Sequence, residues 1–166
     1  MCEYCGCKAI GTLERLTLEH DRALELIDEA REAYRAGERI RLCTLVGQID
    51  ALLAPHAIVE ERGLFPAMAV DFPLEIAALE HEHHRVEAVL AELRRAGSDL
   101  PSGPLAGPDW PERLIEALAV LRRHIIREQE GVFPAALSTL GTEQWRRLEA
   151  LRALADAESL AAEPVS

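Results

Sequence analysis

The stretch His56–Met68 reads "HAIVEERGLFPAM", and the stretch His124–Ala136 reads "HIIREQEGVFPAA". Seven of their thirteen positions are identical, and an eighth exchanges Leu64 for Val132. The two copies lie 68 residues apart (124 − 56) in a chain of 166. Both follow H-x-I-x-E-x-x-G-(L/V)-F-P-A. The shared positions include His and Glu, which are expensive to bury alone. A repeat that keeps such residues in register points to chemistry rather than to packing.

Working outward, apolar residues recur at steps of three and four through most of the chain, the signature of amphipathic helices. The first helix is expected over Ile10–Ala36, stopped by Gly37. The second runs from about Glu38 to Leu64, with a kink or restart at Pro55 and a stop at Phe65-Pro66. A short helical turn comes next, over "AMAVDF". The third helix spans Pro73 to Gly97, and the Gly/Pro-rich "GSDLPSGPLAGPDWP" after it is a loop. The fourth runs from Pro111 to Val132, again stopped by Phe-Pro. A fifth begins near Thr142, its expected N-cap, and ends about Ala162. The fold class is therefore all-α: an up-down-up-down four-helix bundle over residues 10–140, with an additional C-terminal helix over 141–166. Residues 1–9 form a separate Cys-rich segment.

Composition narrows the partners. A net charge of -11 disfavours nucleic acid and anionic lipid, both of which need basic patches. No apolar run is expected to reach the roughly 20 residues of a membrane span. The N-terminus lacks a basic-then-apolar leader pattern, so a cytoplasmic address is expected. The four cysteines are read as thiols rather than structural disulfides.

The chemistry lies on the seams that helical spacing turns inward. The first helix offers Leu13, Leu16, His20, Ala23, Ile27 and Ala30; the second offers Val46, Ile49, Leu53, His56 and Glu60. The third offers Ile76, Leu79, His83, Val86, Leu90 and Leu93; the fourth offers Leu114, Ala117, Leu121, His124 and Glu128. Each helix thus carries one seam histidine, and two carry a glutamate one turn later. A single core histidine is ordinarily just a hydrogen-bonded core residue. Four of them beside two buried carboxylates are satisfied together by cations. Imidazole with carboxylate suits iron, manganese or zinc, whereas calcium prefers an all-oxygen shell. Two glutamates on separate helices can each bridge two ions. With two His per ion and a bridging solvent oxygen, about one position per ion stays open to a small molecule by ligand counting.

These motifs resemble the hemerythrin-like (HHE cation-binding) domain family: a seam His in "LEHDRALELI", His56 with Glu60, a His within "EHEHHR", and His124 with Glu128. The resemblance covers residues 10–137. It implies a cofactor of two iron ions, a non-haem di-iron centre bridged by Glu60 and Glu128 and by an oxo or hydroxo group. The chain departs from the oxygen-carrying hemerythrins, which use five His, including H-x-x-x-H on the third helix, and a final H-x-x-x-x-D. Here Glu87 stands four residues after His83, and Gln129 stands five after His124. That argues against simple reversible oxygen carriage and toward relatives linked to oxygen sensing, peroxide handling, nitric oxide chemistry or iron-centre repair. In the third helix His83 aligns best with His20, while His84 and Glu87 are additional ligand candidates and His81 faces solvent.

Other residues carry weaker signals. Glu61 is expected to be solvated, Gly63 and Gly131 to let the backbone turn, and Phe65 and Phe133 to cap the core at one end. Cys2, Cys5 and Cys7 form a C-x-x-C-x-C head, readable as a mobile tail, a redox thiol set, or a metal site for which Cys43 would be the fourth ligand. Three classes of function stay open at this point. One is a di-iron oxidoreductase acting on peroxide, dioxygen or nitric oxide in oxidative or nitrosative stress, served by a reductant protein. The second is a binding protein: a gas or redox sensor, an oxygen store or an iron donor. The third is a bundle stapled by metal. No substrate pocket is legible, so a large organic substrate is not expected.

Overall fold

The computed structural model describes residues 7–96 and 109–162. Seven α-helices and two short π-helical segments account for nearly all of them: α1 (Cys7–Arg35), α2 (Arg39–Val59), π1 (Glu60–Leu64), α3 (Phe65–Met68), α4 (Pro73–Ala96), α5 (Trp110–Arg127), π2 (Glu128–Val132), α6 (Phe133–Thr139) and α7 (Thr142–Ala162). Helix α1 packs on α2 and α5, and α4 packs on the same two, which closes a four-helix ring. The fifth long helix, α7, lies outside the ring against α1, α2 and π1. Of the loop expected over residues 97–111, residues 97–108 lie outside the described residues and Trp110 and Pro111 open α5; most of the Cys-rich head also lies outside.

The α1–α2 turn shows why Gly37 is where it is. Its φ of 72° is strained for any residue with a Cβ. Glu38 N–H donates to Ala33 C=O at 2.9 Å, and Gly37 N–H donates to Tyr34 C=O at 3.0 Å. This Schellman pattern satisfies the last carbonyls of α1. At the start of α7, Gln144 Oε1 accepts the Gly141 N–H at 2.7 Å. Gly141 is therefore the N-cap, and Thr142, expected there, is the first helical residue.

Several expectations need correction. Helix α1 begins at Cys7 rather than Ile10. Neither Phe-Pro pair ends its helix: both stretches pass through a π segment and continue as α3 and α6. Proline normally breaks a helix because its ring meets the carbonyl four residues back and it has no N–H to donate. A π segment inserts one residue into the turn, which spreads the carbonyls and gives Pro66 and Pro134 room at the first positions of the renewed helix. The extra residue also rotates the downstream helix by about 100°, one residue's share of an α-turn. Pro55 sits inside α2 without ending it. Finally, Arg39–Met68 is long and apolar enough, by length and composition, to cross a membrane. That corrects the expectation that no run reaches that length. In this fold its Leu42, Val46, Ile49, Val59 and Leu64 are buried in the bundle.

The core falls into two apolar clusters. One holds Leu26, Ile27, Leu42, Ile49, Leu114, Leu118 and Leu121 with their neighbours. The other holds Leu16, Leu64, Phe65, Ile76, Leu79, Phe133 and Trp145 with theirs. Between them lies a layer of buried polar side chains: His20, His56, Glu60, His124 and Glu128.

The two repeat glycines have different roles, and neither has a positive φ. A Cβ on Gly63 would run into the side chains of Leu148 and Leu151 on α7. A Cβ on Gly131 would meet nothing within 4 Å. Gly63 thus exists to let α7 lie close, not to turn the chain. Gly63→Ala should destabilise the fold by about 1–3 kcal/mol, an overpacking cost. Gly131→Ala should be neutral or stabilise by about 0.5–1 kcal/mol, because alanine is the better helix former. Denaturant unfolding of the two variants checks the contrast, and equal costs would refute it.

Candidate metal centre

Six seam side chains meet in the polar layer as two overlapping clusters. One is His20, His56, Glu60 and Glu128, and the other is Glu60, His83, His124 and Glu128. Within each, the four ligand-type atoms lie within 4.8 Å of one another. The shared members are the two repeat glutamates, both 0% exposed. Their oxygens divide between the clusters. Glu60 Oε1 lies 3.1 Å from His56 Nε2, whereas its Oε2 lies 3.4 Å from His83 Nε2. Glu128 Oε2 lies 3.3 Å from His20 Nε2, whereas its Oε1 lies 3.1 Å from His124 Nε2. Each carboxylate therefore spans both clusters. The spacing comes from the sequence: Glu60 and Glu128 sit one α-turn beyond His56 and His124, at the first residue of each π segment.

The outward nitrogens of three rings are held by carboxylates. His56 Nδ1–H donates to Glu19 Oε2 at 2.8 Å, and Arg152 grips the same carboxylate at 3.0 and 2.8 Å. His124 Nδ1–H donates to Glu82 Oε2 at 3.2 Å, with Arg127 on the other oxygen at 3.1 Å. His83 Nδ1–H donates to Glu61 Oε1 at 3.1 Å. In the neutral ring, a proton on Nδ1 leaves the lone pair on Nε2, the nitrogen that faces the glutamates. The phenyl rings of the repeats close the layer: Phe133 stacks on His20 at 5.3 Å, and Phe65 packs on His83 at 5.2 Å.

The centre is badly satisfied as bare protein. His56 Nε2, His124 Nε2 and both oxygens of Glu60 and of Glu128 are buried without a hydrogen bond. The 3.1 Å approaches of His56 and His124 to the glutamates do not contradict this, because distance alone, without alignment, makes no hydrogen bond. Burial raises the carboxyl of Glu60, but the charges of His56, His20 and His83 carry it down to about 2. Burial and the neighbouring Glu60 charge hold Glu128 up at about 7, against the pull of His20 and His83. Burial lowers His56, yet Glu60 and Glu19 raise it to about 10. Burial also lowers His124, and Glu60 and Glu82 only partly offset that. One carboxyl is lowered and the other raised, and the two imidazoles part in the same way, as expected where charges crowd without enough counter-charge. Cations between the clusters would meet all six of these atoms at once, so the donors fit a metal pair.

Of the candidates read from the sequence, His20, His56, Glu60, His83, His124 and Glu128 come together. His84 and Glu87 are exposed and belong to neither cluster, although Glu87 lines the approach to the site. His81 is exposed. Glu61 is not merely solvated, since it holds His83. Cys2 and Cys5 lie outside the described residues, and Cys7 opens α1. Cys43 packs near the start of α2, beside the far end of α1, roughly 40 Å from Cys7 at ~1.5 Å per residue. That separation argues against a four-Cys site that includes Cys7 and Cys43. Sequence reasoning missed Glu19, Glu82 and Arg152. The signal for the first two was the Glu-His pair at Glu19-His20 and again at Glu82-His83, in which each Glu serves a histidine on the next helix.

A cavity of about 540 Å³ opens between α2 and α4 and reaches His20, His56, Glu60, His83 and His124. Leu53, Ala54, Ile58, Val86, Leu90 and Leu121 supply its apolar wall, and Asp50, Glu61, Arg62 and Glu87 stand along it. The sequence had shown no pocket, because the wall residues read as ordinary helix faces.

Fold and site together define a helical bundle whose buried histidines and glutamates form two overlapping clusters that could hold a metal cation. The chain belongs to the hemerythrin HHE cation-binding domain family, whose model matches residues 11–136. No curated protein and no solved structure gave a match.

The geometry separates shared from unshared groups. Glu60→Gln should weaken metal uptake at both clusters. Glu61→Gln should loosen only the one containing His83, by about 10-fold, the low end for an outer partner of a ligating His. Metal content after equilibrium dialysis checks this, and equal loss in the two variants would mean that Glu60 is not shared.

Proposed function

We propose that the protein is a non-haem di-iron protein whose paired site, reached through the α2–α4 cavity, takes a small oxidant or gas: peroxide, dioxygen or nitric oxide. The observation that carries this reading is the division of each buried carboxylate between two histidine pairs, with orphaned atoms facing inward. His20 and His56 would hold one ion and His83 and His124 the other, with Glu60 and Glu128 between them. Imidazole with carboxylate suits iron, manganese and zinc alike, and iron is taken from the family resemblance. When bound, such a pair supplies redox equivalents and open coordination positions for a small molecule.

The chain's own residues do the rest. Glu19, Glu82 and Glu61 hold the Nδ1 protons, so that the Nε2 lone pairs aim inward. The two apolar clusters shield the layer from water on both sides. The low dielectric strengthens each charge–charge contact inside it. The cavity between α2 and α4 admits the small molecule and leaves room beyond a diatomic, since small-molecule pockets span about 300–1,000 Å³. Handling of oxidative or nitrosative stress, with electrons from a reductant protein, is the working role that this chemistry suits.

Aerobic purification should yield about two irons per chain and near-ultraviolet absorption. Azide or nitric oxide should perturb that absorption, and peroxide should be consumed catalytically. Stoichiometric binding without turnover would support a sensor, store or iron donor instead. Full iron occupancy in a His56→Ala, His124→Ala double variant would exclude the site altogether.

A further inference from the structure

The two halves of the centre are built alike except in what steadies them. On one side Glu82 holds His124 Nδ1, and its helper Arg127 is half exposed on the same helix as His124. On the other side Glu19 holds His56 Nδ1, and its helper Arg152 comes from α7, 133 residues away in sequence and only 6% exposed. The family match stops at residue 136, before α7 begins. The half that contains His56 is therefore completed from outside the matched domain. The same half is short of support elsewhere. His20 Nδ1 is buried with no hydrogen bond. Gln129, which stands in the second repeat where Glu61 stands in the first, donates to Asp21 instead at 3.2 Å.

We propose that α7 is part of the metal site, and that Arg152 is a positioning residue which fixes His56 through Glu19. This rests on the paired-ion reading of the centre. The guanidinium makes two charge-assisted bonds to one carboxylate, and that planar fork fixes the carboxylate's orientation as well as its charge. Glu19 Oε2 then sits 2.8 Å from both Arg152 Nη2 and His56 Nδ1. Glu19 holds the Nδ1 edge of the ring, so its orientation sets the ring's orientation and keeps Nε2 toward Glu60. Removing Arg152 leaves Glu19 largely buried with a weaker hold, free to swing away from the ring. By reciprocity, an ion on His56 steadies Glu19 and, through it, the docking of α7.

A second ion pair ties α7 to α1; its Arg15 also donates from Nε to Glu19 Oε1 at 3.3 Å, so the control changes the α7 partner, Asp156, and leaves Arg15 in place. Arg15 and Asp156 form a bidentate bridge at 2.7 and 2.8 Å. The experiment is anaerobic titration of metal-free protein with ferrous iron against a competing chelator, with amide hydrogen exchange of α7 in parallel. Wild type should take two ions and show slower exchange in α7 on loading. Arg152→Met keeps the apolar stem, and should weaken one of the two ions by about 10–100-fold while sparing the other. It should also lose the metal-linked protection of α7. Asp156→Asn should titrate like wild type. Arg152→Lys keeps the charge without the fork and should fall between; it decides the matter if Arg152→Met does not fold. Wild-type affinity for both ions in the Arg152 variants overturns the inference, as does equal weakening by Asp156→Asn. A wild-type chain that takes up no ion overturns the paired-ion reading, and this inference with it.

Discussion

Two carboxylates, Glu60 and Glu128, face each other in the middle of the bundle with no water-exposed surface and no hydrogen bond to either pair of oxygens. Everything around them can be read as a response to that charge. Four histidines approach within 3.1–3.4 Å of their oxygens, three of these rings are tied from behind by further carboxylates, and arginines tie two of those in turn. A buried carboxylate left alone would neutralise or unfold its surroundings. Here the surrounding imidazoles hold Glu60 below the usual carboxylate range, whereas burial and the Glu60 charge hold Glu128 above it.

The fold serves that layer. Two apolar clusters clamp it from either end and supply the stability that the polar centre lacks. The π segments start at the glutamates themselves. By inserting a residue there, each turns its Phe toward the partner half's histidine and lets its Pro pass within a continuing helix. Segments of this type concentrate at functional sites because the widened turn costs stability that only a site repays. Gly63 extends the same logic outward: its missing Cβ lets α7 approach closely enough for Arg152 to reach Glu19.

Much of this was legible in the sequence because the information was periodic. His56 with Glu60 and His124 with Glu128 are four apart, and that spacing alone puts each pair on one helix face. His20 and His83 lie on apolar stripes whose other members are mostly buried. What escaped reading was local geometry and distant pairing. Phe-Pro reads as a stop, since the π segment that accommodates it has no sequence signal of its own. Glu61 looks like a member of a solvated charged face; Glu19 and Glu82 carry only the repeated Glu-His pair as a signal, and the neighbouring helix shows which histidine each holds. Arg152 and Glu19 are 133 residues apart and sit in runs of ordinary surface charge, so no spacing rule links them. The cavity between α2 and α4 depends on how two helices splay, which composition does not encode.

On the proposed reading, Glu60 and Glu128 are shared between two ions. The most direct measurement is anomalous diffraction at the iron edge from crystals of the iron-loaded protein. The account predicts two peaks about 3.5–4 Å apart, the spacing of a paired-ion site. His20 and His56 should flank one and His83 and His124 the other, with a carboxylate oxygen of each glutamate on either side. A single peak, or peaks bound by other residues, would contradict it.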